Sequence, residues 1–427
     1  MKKAMVAAAL CVVLLLSSCS GYSSVGDLLT APALQEDQAA VKAALEEYTG
    51  EIPVLKYPIS GTLRMPIQFI DLDGDGLEEA IAFFSAGDVP VAQLAVLQKG
   101  AAGSWSVVNS MKGLDVNVET VNFFSIENSL DQLILVQWSS PNTRERSLVP
   151  YRFVGSELVA DLEDTSSHLY VYDLDDDGYE EFLYITSRGN LFYLKYIDPS
   201  NGAAYVEPVE MLLDSRMNGC LGLVAGQLAD GTRAVFVEES IGLDSETGEI
   251  TYQITEVFEF SGSTLLPAVL DYDIAEFSRR PDTDLSCRKL FGDDVVYIPS
   301  VYQPFDDIAS DQWVYWYTIK DGTVEYRLAT YVDEVYQFAM GIPDEWLPGV
   351  ELFHEEESKL WSIYGLGVDD VPVVSLRVLS VGDDAQAYFD EGYTLLKQAG
   401  SYRFLIMGSV DVDDEGIEFI KNNFIIL

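Results

Sequence analysis

Apolar residues recur at two different periods along this chain. From about residue 51 to 330 they come as short runs of Val, Ile, Phe and Tyr, broken by Gly, Asp, Asn and Ser, which is the pattern of many short strands joined by turns. Ahead of them, residues 34 to 50 read as one helix, with Val41, Leu45 and Tyr48 on a common face and Thr49-Gly50 as its stop. Beyond about 331 the text mixes periods. Val350 to Gly365 predicts a hairpin, Val373 to Ser380 and Tyr402 to Met407 predict strands, and Asp384 to Gln398 and Gly416 to Asn423 predict helices. The expected chain is mainly β, with a small α/β domain over 331–427.

Two acidic loops interrupt the strand text, 102 residues apart. Asp71, Asp73, Asp75, Gly76, Leu77 and Glu79 are matched by Asp173, Asp175, Asp177, Gly178, Tyr179 and Glu181. Carboxylates at positions 1, 3 and 5, a turn-forming Gly at 6, the carbonyl of position 7 and a carboxylate at 9 supply the oxygens that a hard cation such as Ca2+ needs. Neither loop is an EF-hand: its twelfth position, where a bidentate Glu is required, is Ala82 or Tyr184. Ile67, Phe69 and Ile81 to Phe84 flank the first loop, and Tyr170 to Tyr172 and Phe182 to Ile185 the second, so both join strands. A solvated turn of Asp and Gly is the alternative. Against it, five carboxylates within nine residues repel one another unless a cation neutralises them. Two Ca2+ sites are expected, the first the roomier, with Gly74 where the second has Asp176.

The same pattern recurs without its ligands around Ser125, Glu127 and Ser129, around Asp230-Gly231, and around Gly292. The spacings are 54 residues (71 to 125), 48 (125 to 173), 53 (178 to 231) and 61 (231 to 292). A period of this size in β sequence predicts a β-propeller of five or six blades over 51–330.

The N-terminus reads as an address. Lys2 and Lys3 precede the apolar run Ala4 to Leu16, which is too short for a spanning helix and closes in Leu16-Ser17-Ser18-Cys19. That ending resembles the bacterial lipobox, which implies a signal peptide over 1–18, lipidation of Cys19 and a flexible tether over 19–33. The expected location is the extracytoplasmic face of the cell membrane, with the membrane as a partner through the lipid anchor. The chain carries 25 basic and 70 acidic residues, a formal charge of −45, which excludes nucleic acid as a natural partner. Cys220 and Cys287 are the thiols left after Cys11 and Cys19, either paired or free.

The helix, Leu55 to Pro58 and the two acidic loops resemble the FG-GAP/VCBS-type repeat lipoproteins of Gram-positive bacteria, over about residues 34 to 300. That resemblance implies a propeller whose calcium ligands are Asp71, Asp73, Asp75, the Leu77 carbonyl and Glu79, then Asp173, Asp175, Asp177, the Tyr179 carbonyl and Glu181. The order of elements in the tail, opened by Pro343 to Trp346, is similar to the PsbP/Mog1-like α/β sandwich. Asp411 to Gly416 reads as an acidic cap on the last helix rather than a third metal loop.

Catalytic signatures are sparse. His168 and His354 are the two histidines, and no HExxH, nucleophile elbow or phosphate-cradling motif is present. The six Trp, with Trp313 and Trp316 beside Tyr315 and Tyr317, read as packing between sheets before they read as sugar platforms. The expected function is a lipid-anchored surface binding or scaffold module, its partner an envelope protein or a polysaccharide. The alternatives are a secreted polysaccharide hydrolase or lyase using propeller carboxylates, and an envelope assembly factor.

Overall fold

The computed structural model describes residues 36–427 apart from 88–89, 127–128, 130, 144, 161–162, 200–207, 244–249, 263, 269–276, 282–284, 302–303, 305–311, 366–370 and 410–413. The signal segment, Cys19 and the tether, and also Asp411 and Asp413, lie outside the described residues. The protein is mainly β, as the apolar pattern predicts. Among the described residues its strands form six sheets.

The first sheet holds β1 (Val54–Leu55), β2 (Ile67–Ile70), β3 (Glu79–Ser85), β4 (Gln93–Lys99) and β5 (Trp105–Lys112). The second holds β6 (Asn117–Ser125), β7 (Gln132–Ser139), β8 (Arg146–Val154), β9 (Glu157–Ala160) and β10 (Asp164–Ser166), the last two sharing the edge of β8. The third is the meander β11 (His168–Tyr172), β12 (Glu181–Arg188), β13 (Leu191–Ile197) and β14 (Val209–Leu212). The fourth is the meander β15 (Met217–Gln227), β16 (Arg233–Leu243), β17 (Ile250–Ser261) and β18 (Thr264–Pro267). In the fifth, β19 (Arg288–Lys289), β20 (Val296–Ser300), β21 (Val314–Lys320), β22 (Thr323–Asp333) and β23 (Phe338–Ile342) stand side by side. The sixth takes β24 (Val350–Glu355), β25 (Leu360–Gly365), β26 (Val374–Ser380), β27 (Thr394–Ala399) and β28 (Tyr402–Gly408). The last strand, β29 (Phe424–Ile426), returns to pair with β23.

All five repeats read from the sequence fall on one kind of structural position, the connection between two consecutive, antiparallel-paired strands near the start of a sheet: β2 to β3, β6 to β7, β11 to β12, β15 to β16 and β19 to β20. The sheets stack face to face in chain order. Ile81 and Phe83 meet Val118, Ile134 and Trp138 between sheets one and two. Phe124 and Leu135 meet Phe182 and Tyr184 between two and three. Leu183 and Ile185 meet Val235 and Ile254 between three and four, and Phe236 meets Val296 and Ile298 between four and five. Burial on both faces explains why β3, β7 and β12 are near-continuous apolar runs instead of alternating ones.

Closure into a five- or six-bladed ring is not what these contacts form. The outer face of the first sheet, where a last blade would sit, is taken by helix α1 (Glu36–Thr49), whose Val41, Ala44 and Leu45 pack on Ala80, Ala82, Phe84 and Trp105. Tyr48, expected on that apolar face, is 56% exposed. At the far end of the stack, Leu379 and Leu405 of the sixth sheet pack with Ala385, Tyr388 and Tyr393 around the short helix α2 (Gln386–Glu391).

The tail departs from its expected outline in two ways. Gly392, at φ 108°, stops α2 in the left-handed region, so the helix expected to Gln398 gives way to the edge strand β27. Residue 331 falls inside β22, so no linker separates the tail there. Phe338 and Met340 of the fifth sheet, Trp361 and Phe404 of the sixth, Phe424 of β29 and Ile420 of helix α3 (Asp414–Asn422) form one core. Cys220 lies opposite Glu239, while Cys287 touches Thr255, which lies opposite Glu238. Adjacent strand residues face opposite ways, so the two thiols sit on opposite faces of sheet four and are free.

Native-state proteolysis checks the shared core. Cuts are expected outside 314–342, and a stable fragment beginning between 320 and 340 would contradict a core that spans the fifth and sixth sheets.

Candidate metal centres

Each acidic loop carries the same internal hydrogen bonds. In the first, the Gly76 amide donates to Asp71 Oδ2 at 3.0 Å, Asp75 to Asp73 Oδ1 at 3.3 Å, Leu77 to Asp75 Oδ1 at 2.8 Å and Leu72 to Glu79 Oε2 at 2.9 Å. In the second, Gly178 donates to Asp173 Oδ2 at 3.1 Å, Asp177 to Asp175 Oδ1 at 3.1 Å, Tyr179 to Asp177 Oδ1 at 2.8 Å and Leu174 to Glu181 Oε2 at 2.5 Å. Positions 4 and 6 are both left-handed: Gly74 at φ 70° and Gly76 at 87°, Asp176 at 65° and Gly178 at 90°. The greater room expected of Gly74 therefore does not change the backbone, because Asp tolerates this region better than most residues.

Position 2 was missed in the sequence. Leu72 and Leu174 are fully buried, one between sheets one and two and the other between three and four. Their alternation with the outward carboxylates, Asp-Leu-Asp, was the available signal. Each loop is thus pinned from below by an apolar plug and closed behind by a buried Glu.

The oxygens converge as the pattern predicts, with one difference between the loops. Ligand atoms of Asp173, Asp175, Asp177 and Glu181 all lie within 4.8 Å of one another; in the first loop Asp71, Asp73 and Glu79 do so, and Asp75 stands outside that set. Leu77 is exposed on the rim. Three oxygens of this group are buried without a hydrogen-bond partner: Asp71 Oδ1, Asp173 Oδ1 and Glu181 Oε1. Buried carboxylate oxygens are rarely left so, and a cation would satisfy all three.

The residue across the ladder from position 9 separates the two centres. By register Gln98 stands opposite Glu79, and its amide donates to Glu79 Oε1 at 3.2 Å. The equivalent place opposite Glu181 is Asp198, an acid that adds to the repulsion. Burial, followed by the charges of Asp175, Asp198 and Asp173, pushes Glu181 up to about 8, although the Leu174 amide opposes this; Glu79 is raised too, by burial first. Asp175 is raised by burial and by Asp177. The second centre therefore concentrates more negative charge than its fold alone neutralises.

Both loops also fasten neighbouring sheets. The Gln132 amide of β7 donates to the Leu72 carbonyl at 3.0 Å. Arg233 of β16 bonds Asp176 Oδ1 at 3.1 Å and the Tyr172 hydroxyl at 2.6 Å, and lies 3.5 Å from Asp294 beyond β19. The eroded loops of sheets two, four and five gather no group of three or more metal-ligating side chains among the described residues.

No family model matches the chain, and no curated protein matches it. It is similar to solved structures at low identity. The polysaccharide lyase Uly1 is 10% identical, with 81% of this chain and 77% of that one covered and a TM-score of 0.30. A chain from a study of two prolyl endopeptidases is 13% identical over 81% of this chain, which spans about half of it (48%), with a TM-score of 0.28. MPT-1, a GDP-Man-dependent mannosyltransferase from Leishmania mexicana, is 12% identical over 68% of this chain and 94% of that one, with a TM-score of 0.21. Likeness at this level carries nothing about what this chain does.

Glu181 gives the chelated protein a pH dependence of definite sign. The folded chain holds a proton on this group up to about pH 8, whereas the unfolded chain has released it above its ordinary 4.5. Between these values the folded state binds more protons, so stability falls as pH rises. Denaturant unfolding in chelator from pH 5 to 8 is expected to show that fall, and Glu181→Gln to make it shallower; an unchanged slope in the mutant would place the titrating group elsewhere.

Proposed function

We propose that this protein is a calcium-stabilised binding or scaffold module held by lipid on Cys19 at the extracytoplasmic face of the cell membrane. The observation that carries the metal part is the Glu181 side chain. It is wholly buried, its Oε1 has no hydrogen-bond partner, and it lies among three Asp carboxylates. Taking an ionised carboxylate out of water without a partner is expensive, and a bound dication removes that cost. The donors are all hard oxygens, with no His or Cys in either group, which favours Ca2+ over Zn2+ or Cu2+. Asp71, Asp73 and Glu79 would hold one ion, with Asp75 and the Leu77 carbonyl completing the shell. Asp173, Asp175, Asp177 and Glu181 would hold the other, with the Tyr179 carbonyl.

A scaffold role fits the position of these ions. They sit in hairpin turns whose plugs and side chains grip the next sheet, so binding tightens sheets one against two and three against four. The membrane anchor is supported by the ending Leu16-Ser17-Ser18-Cys19 on its apolar run.

Calcium should raise the melting temperature, and chelation should reverse the rise. For sites of about 10⁻⁴ to 10⁻³ M, about 10 mM calcium adds about 1.4 to 2.7 kcal/mol each. Calorimetry is expected to count two sites in the natural chain and in Asp413→Ala, and one in Asp73→Ala and in Asp175→Ala. No saturable binding at millimolar calcium would reduce both loops to acidic turns. For the anchor, a fatty-acid analogue fed to cells should label the natural chain and Cys11→Ala but not Cys19→Ala; label retained on Cys19→Ala would remove the lipidation reading.

A further inference from the structure

A polar cleft lies at the other ends of the strands that carry the metal loops. It has a volume of about 970 Å³, at the upper end of the roughly 300–1,000 Å³ common for small-molecule sites. Asn117 and Glu119 enter it from the start of β6, Arg146 from the start of β8, His168 from the start of β11, and Met217 and Asn218 from the start of β15. Three successive sheets therefore converge there, with Ile59 arriving from the segment ahead of β2. His168 opens β11, so five residue steps separate it from Asp173 of the second metal loop, roughly 16 Å at about 3.3 Å per residue.

The chemistry of the walls is specific. Glu119 is only 9% exposed, takes a hydrogen bond from the Ser60 hydroxyl at 3.1 Å and lies 3.4 Å from Arg146. Arg146 in turn donates to the Ser167 carbonyl at 2.8 Å, so its charge is already answered. Glu145 accepts from the Ser187 hydroxyl at 2.8 Å. Burial, then the charge of Arg146, lowers His168, which is neutral at pH 7 and so offers one donor and one acceptor. Asn190 and Asn218 add amides that do both, and Phe192 adds an apolar ring face. This mixture of acceptors and two-way groups suits vicinal hydroxyls. Among the described lining residues Arg146 is the one guanidinium, and it is paired; with the chain at −45, the wall does not suit an anion.

We infer that this cleft is a binding site for uncharged saccharide, a segment of neutral polysaccharide held through its hydroxyls by Glu119, Glu145, His168, Asn190 and Asn218 with a sugar ring against Phe192. The inference deepens the binding reading above by naming its ligand class, and it does not depend on the metal loops being filled.

The test uses the full chain in detergent, run by affinity electrophoresis through soluble glucan, mannan and xylan, with alginate, pectate and free spermidine as contrasts. Retention by at least one neutral polymer is expected. Asn218→Ala, Asn190→Ala and Phe192→Ala should each weaken it, Phe192→Ala by about tenfold. Both Asn residues are exposed, so these two variants leave the core intact and their melting temperatures should match the natural chain. New reducing ends released from a retained polymer would support the site and make it a catalytic one. Failure of every neutral polymer to retain the chain, retention unaffected by all three variants, or preference for alginate, pectate or spermidine would each overturn the inference. Calcium stoichiometry on the same sample separates the readings: an intact pair of calcium sites without retention sinks the saccharide site alone, and retention without calcium binding sinks the metal proposal alone.

Discussion

Burial of each sheet on both faces is the constraint on which the rest of this protein depends. A strand such as β3 has Ala80, Ala82 and Phe84 against a helix and Ile81 and Phe83 against the next sheet, so neither face is spare for water. Strands of this kind carry few side-chain charges in their middles, and polar chemistry is pushed to their ends. The acidic loops lie at one end of the stacked sheets and the polar cleft at the other; the buried acids Glu238 and Glu239, in the middle of β16, depart from this, with Arg280 paired to Glu238. The division follows from packing.

Within that constraint the acidic loops do unusual things for turns. A surface turn needs no apolar residue and no buried acid, yet each of these has both, at Leu72 and Glu79 and at Leu174 and Glu181. The plug fixes the loop's height over the core and the buried Glu closes its floor. The carboxylates above are thereby held in place rather than free to splay apart, which is what makes their mutual repulsion a property of the folded chain.

Much of this was legible in the sequence, and what was not has an identifiable cause. The five turns were visible because their spacing is regular and Gly and Asp mark them, and the structure puts all five at the same kind of point in successive sheets. The ligand types at positions 1, 3, 5 and 9 were visible because a nine-residue motif is local. Gln98 and Asp198 were not, since nothing near Glu79 or Glu181 in the chain says which residue stands across the ladder; strand register decides it. The tail misled for a related reason: Phe424 to Ile426 finds its partner in β23, some eighty residues earlier, so the apparent change of text at 331 is no boundary. Gly392 was a stop signal within a segment otherwise read as helix. The cleft was invisible because its walls come from six separate stretches, none of which forms a motif.

The serial stacking of the sheets has a thermodynamic consequence of its own. Each sheet exchanges apolar contacts with the one before it and the one after, and both ends of the row are covered by helices, so the molecule is coupled like a one-dimensional array, in which a perturbation is felt first by nearest neighbours. The acidic turns occupy sheets one and three, alternate places in that row. Between them lies sheet two, touching both, and its state reports on either side: the middle of the array integrates what happens at two separate points, without any direct contact between those points.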